Sequence, residues 1–80
     1  MNRTTPTIGI VLPCYNEEQM LPLTMPKIKL IIDSLIASGI IADDSFAAFV
    51  DDGSRDNTWN HIEEYALQQR HVKGLKLAGN

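Results

Sequence analysis

The sequence predicts an α/β fold, half of a doubly wound parallel sheet built β-α-β-α-β with strand order 3-2-1. Three observations predict it. Apolar runs over residues 8–12 and 46–51 each stop at a polar turn that leads into a helical pattern. A third apolar run over residues 72–77 closes the chain, so strands and helices alternate throughout. Parallel neighbours need crossovers, and crossovers are right-handed, which lays the strands side by side in one direction.

The first strand alternates Ile8, Ile10 and Leu12 with Gly9 and Val11. Both sets are apolar or small, which predicts burial on both faces and an end at Pro13. Glu17 and Glu18 are expected in the first turn of a helix, where negative charge suits the dipole. Pro22 and Pro26 predict a short turn, a break, and then a helix over residues 26–38, whose stripe of Ile28, Ile31, Ile32, Leu35 and Ile36 lies against the sheet. Gly39 is the expected stop, and Asp43-Asp44 a solvated turn. The second strand spans Phe46–Asp51, and Gly53-Ser54 turns the chain. Asp56 is the expected N-cap of a helix over residues 57–69, with Trp59, Ile62, Tyr65 and Ala66 inward. His61, on the polar side of that helix, and His71, in a loop, are expected to be solvated, and Cys14 to be a small buried thiol.

Composition narrows the function. An apolar fraction of 44% with 21% charged residues is that of a folded chain, so disorder is excluded. The net charge of −3 and the scatter of the seven Lys and Arg residues speak against a nucleic-acid surface. A single cysteine rules out an internal disulfide and a cysteine-based zinc site, and it fits a reducing, cytoplasmic setting. The most apolar helical stretch is broken by Asp33 and Ser34, too short for the roughly 20 residues of a membrane span. In strand order 3-2-1 the first strand is an edge with nothing in this sequence to cover it, which invites pairing with another copy and marks residues 1–80 as a portion of a longer protein.

The chemistry gathers at two strand-to-helix junctions, residues 8–18 (IGIVLPCYNEE) and 46–57 (FAAFVDDGSRDN). Ligands of open α/β sheets bind outside the carboxyl ends of the strands, so neighbouring strands would open both junctions onto one crevice. Asp51-Asp52-Gly53 taken alone is equally a solvated turn. Paired with the first junction it suits a nucleotide. Tyr15 offers a flat surface to a base, Asp52 or Asp51 an acceptor for ring N–H groups, and Glu17 or Asn16 a contact for ribose hydroxyls. Gly53 lets the backbone approach closely.

At these residues the sequence resembles glycosyltransferase family 2, inverting enzymes with the Rossmann-like GT-A fold. Residues 8–18, 49–58 (FVDDGSRDNT) and 72–80 (VKGLKLAGN) carry the resemblance, which covers the whole chain. Within the family it is most similar to the branch that transfers sugars to polyprenyl phosphates, a group that includes dolichyl-phosphate mannosyltransferase. The resemblance implies that Pro13, Tyr15 and Glu17 form the first nucleotide-contacting loop, that Asp52 supported by Asp51 reads the base, and that Gly53 and Ser54 shape the turn. It implies a UDP- or GDP-sugar donor, and magnesium or manganese held by an Asp-x-Asp motif that these residues lack, as they lack the later catalytic base. The arginine of the family's Ser-Arg-Asn ending is also absent, since Ala78 and Gly79 precede Asn80. Catalytic residues are therefore unassigned, and the isolated portion is expected to be inactive. Dehalogenase-like phosphatases would need an aspartate where Val50 stands, and receiver domains an acid on strand three. The remaining alternative is a degenerate, non-catalytic module that keeps the fold.

Overall fold

The structure is a computed structural model that describes residues 5–77. It contains β1 (Gly9–Cys14), α1 (Leu21–Ala37), β2 (Phe46–Asp51), α2 (Thr58–Gln68) and β3 (Val72–Lys76). The sheet has three strands, all parallel, in the order β1-β2-β3. That is the expected fold, and in it Cys14 pairs with Asp51, which in turn pairs with Lys76. The carboxyl ends of the three strands therefore lie level at one rim. Residues 78–80, with the Ala78-Gly79-Asn80 ending, lie outside the described residues.

The helix α1 corrects the expected break at Pro26, because it runs unbroken through that residue. Pro22 falls at its second position, where an N–H has no partner to lose. Pro26 lies inside, at a cost of about 3 kcal/mol relative to alanine. Leu21 and Met25, one turn apart, are 2% and 3% exposed, and burying such side chains returns roughly 1.5–3 kcal/mol each. Burial outweighs the proline. Glu17 and Glu18 consequently precede the helix instead of occupying its first turn, which holds no acid. Ile32 is buried and Ile28, Leu35 and Ile36 pack beside it, whereas Ile31 faces solvent. Gly39, at φ +73°, ends the helix as expected, its N–H donating to the Ile36 carbonyl over 2.9 Å.

The first strand departs from expectation twice. It continues through Pro13 to Cys14. The Ile8 carbonyl accepts from Phe46 and the Cys14 carbonyl from Asp52, so even-numbered residues bond to β2 and Pro13 turns its backbone to the open edge, where a missing donor costs nothing. It is also covered on one face only. Both crossovers step in the same direction, which places both helices on one side of the sheet. Ala47, Phe49, Ile62 and Ile32 form the core there, with Ile10 and Leu12 packed against it. On the other face Val11 and Leu75 are 64% and 54% exposed.

The turn before β3 supplies another correction. His71, expected in solvent, has φ +66° and a side chain only 14% exposed. Its Nδ1 lies 3.3 Å from Asp33 Oδ1 on α1 and its Nε2 3.6 Å from Asp43 Oδ1. These acids stand far away in sequence, beyond the reach of local pattern. His61 is half-buried, also less solvated than expected.

Candidate nucleotide site

The site is built by two loops that leave the rim side by side. Beyond the last pair of β1 and β2, the Asp52 N–H donates to the Cys14 carbonyl over 3.0 Å. Asn16 then takes a left-handed conformation, φ +50°, which an asparagine tolerates. Its N–H donates to Ser54 Oγ, and its Oδ1 accepts from the Arg55 N–H, both over 2.9 Å. One residue on, the Glu17 N–H donates to Thr58 Oγ1 over 2.7 Å, and the Glu18 N–H reaches Asp56 Oδ2 at 3.3 Å. These five contacts lace the loops into one unit.

Thr58 and Asp56 are the anchors. Thr58 is fully buried, and its hydroxyl and N–H both donate to Asp56 Oδ1. The hydroxyl hydrogen bond, above all, holds the Asp56 carboxyl below the usual carboxylate range; desolvation opposes it, and N–H groups of Thr58 and Glu18 assist. The expected helix start is thereby corrected. Helix α2 begins at Thr58, one residue later than expected, and Asn57 makes no capping bond with its side chain; Asp56 still supplies the expected capping contact by accepting the Thr58 N–H, and it also bridges the loops. The helix ends at Gln68 and β3 at Lys76, each one residue earlier than expected. Trp59, Ile62, Tyr65 and Ala66 do face the core.

The two adjacent aspartates play different parts. Asp51 is completely buried; its Oδ1 accepts the Ser54 N–H over 3.0 Å, and its Oδ2 has no partner. It braces the turn in which Gly53 takes φ +78°. Asp52 is exposed at the tip. Tyr15 is 56% exposed, with its N–H 3.4 Å from Glu17 Oε2. Burial, then the charges of Glu17 and Asp51, push the Cys14 thiol up to about 11, so it stays neutral and is no nucleophile.

A cleft of about 290 Å³ opens beside the loops, lined by Asn16, Glu17, Glu18, Gln19, Met20 and Asp56. Of the residues expected in the site, Asn16 and Glu17 line it. Pro13, Tyr15, Asp51, Asp52, Gly53 and Ser54 share the same rim without bordering that cleft. Sequence reasoning missed Thr58 as a link between the junctions, although its place two residues after Asp56 is the spacing of a side-chain turn. Among the described residues no three His, Cys, Asp or Glu side chains converge as a metal-ligand set. The Asp-x-Asp motif through which the resemblance implies magnesium or manganese does not occur in this sequence, and no step is assigned to either ion. No described helix is long and apolar enough to cross a membrane.

Comparison with known proteins places the chain in a family. The chain is 42% identical over 80 residues to the uncharacterized glycosyltransferase YkoT of Bacillus subtilis (strain 168), covering 100% of this chain and 24% of that protein. It is 36% identical over 80 residues to the undecaprenyl-phosphate 4-deoxy-4-formamido-L-arabinose transferase of Shewanella sediminis (strain HAW-EB3), covering 99% of this chain and 22% of that one. The chain thus spans about a quarter of the length of these curated relatives. The model of the family described as Glycosyl transferase family 2 matches residues 9–80, and the chain belongs to that family.

Proposed function

We propose that residues 1–80 are the nucleotide-sugar-binding part of an inverting glycosyltransferase that takes a UDP- or GDP-sugar and passes the sugar to a polyprenyl phosphate. The observation that carries this reading is the lacing of the two loops, which fixes Tyr15, Glu17 and Asp52 at adjoining strand tips. On this reading the Asp52 carboxylate accepts base N–H groups, Tyr15 covers the base, and Glu17 takes a ribose hydroxyl. The buried Asp51 keeps the turn in shape and leaves Asp52 free to bind. The lipid acceptor is supported by the second relative, which is named for an undecaprenyl-phosphate substrate.

The chain alone is expected to bind nucleotide weakly and to transfer no sugar, since the family's Asp-x-Asp motif does not occur in this sequence and no base is assigned in it. Titration with UDP and GDP tests the site. Asp52→Ala should weaken binding about tenfold, the size of one charge-assisted hydrogen bond, without changing the unfolding temperature. Unchanged affinity would remove Asp52 from the site, and sugar transfer by the isolated chain would overturn the rest.

A further inference from the structure

Lys76 ends β3 beside Asp51, its register partner on β2. Side chains alternate along a strand, so Lys76 shares a face with Val72 and Gly74. That face is the helix side, because Val72 is buried there and a Cβ added to Gly74 would lie 2.7 Å from Ile62 Cγ2. Asp51 lies on the same face, fully buried. Lys76 itself is exposed at the rim and makes no ion pair among the described residues. Lys73, on the opposite face of the same strand, is already committed, its ammonium 4.2 Å from the centre of the Phe46 ring.

Neighbouring strands lie about 4.8 Å apart, so the stem of Lys76 starts within one strand spacing of the Asp51-Asp52 tip. An uncommitted donor and an exposed acceptor therefore stand at adjoining strand ends. An N–H next to a C=O, the lactam edge of uracil or guanine, satisfies both. The amino edge of cytosine or adenine offers a ring acceptor to the carboxylate and an N–H donor to the ammonium, and opposes both. We propose that Lys76 is a specificity-determining residue which, with Asp52, restricts the site to nucleotides whose base carries a lactam edge. This rests on the reading of Asp52 given above.

UDP and CDP form the minimal pair, and amide chemical-shift titration of the isotope-labelled chain measures weak binding of each. The wild type should prefer UDP by about a hundredfold, the worth of two charge-assisted hydrogen bonds, one at Asp52 and one at Lys76. Lys76→Met should lower affinity for UDP without weakening CDP and narrow the gap to about tenfold, the part held by Asp52, whereas Lys76→Arg keeps most of the wild-type gap. Lys73→Met should alter neither. A UDP preference undiminished in Lys76→Met, or equal binding of the two by the wild type, overturns the role of Lys76 and leaves the nucleotide site standing. No binding of either nucleotide by the wild type overturns the nucleotide reading, and this role with it.

Discussion

Thr58 joins the two junctions through one buried hydroxyl, which accepts from the Glu17 N–H and donates to the Asp56 carboxylate. Thr58→Val keeps the shape and removes both bonds, leaving the Glu17 N–H without its acceptor. Leaving such groups unpaired costs about 1–3 kcal/mol, so urea unfolding should show a loss of that size, and Thr58→Ser should recover part of it. Unchanged stability would mean that the loops hold without this link. Asp56 also makes the junction acid-sensitive. Its folded pKa is lowered chiefly by the Thr58 hydroxyl, and that of Asp33 chiefly by the Lys29 hydrogen bond. For carboxyls whose folded values lie below their unfolded ones, the stabilisation is present above the unfolded value of about 4 and is lost as pH falls through the folded value. Thermal unfolding should therefore move to lower temperature between about pH 5 and pH 3, and Asp56→Asn should flatten part of that slope.

At the scale of elements, the packing of α2 on β3 depends on a missing side chain. A Cβ on Gly74 would come within 2.7 Å of Ile62 Cγ2, whose residue is completely buried and cannot move aside. Gly9 presents the same distance to Phe46 Cζ, but that atom is the far tip of a ring on the uncovered face. Gly74→Ala should cost about 1–3 kcal/mol by overpacking, and Gly9→Ala much less. Equal losses in chemical denaturation would show that the Phe46 ring is as fixed as Ile62. The proline-bearing helix makes the same point: Leu21 and Met25 decide the course of α1 because they reach the core, which local propensity does not weigh.

The molecule as a whole has one bare sheet face, with Val11, Leu75 and Leu77 exposed, and two open strand edges, at β1 and β3. Apolar faces and unpaired edges draw further chains. The 80-residue chain should self-associate, with a sedimentation-average mass that climbs with concentration. Val11→Lys, placed on that face and on the β1 edge, should hold it nearer the monomer. A mass that stays monomeric at all concentrations would show that the uncovered surface is inert.

The sequence by itself determined the order of elements, the parallel sheet, the bounds of β2 and the two polar junctions, because period, glycine placement and apolar runs are local properties of the chain. It also singled out Asp51 and Asp52, but as near equals. The resemblance ranked Asp52 as the reader and Asp51 as its support, and the tertiary structure supplied a physical difference, burying Asp51 beneath the turn and exposing Asp52. The tertiary structure likewise decided that α1 runs through Pro26, that β1 is covered on one face, that His71 sits between Asp33 and Asp43, and that Thr58 ties the loops together. Each of these depends on what a residue meets across the fold, and those partners are set by topology rather than by neighbours in sequence.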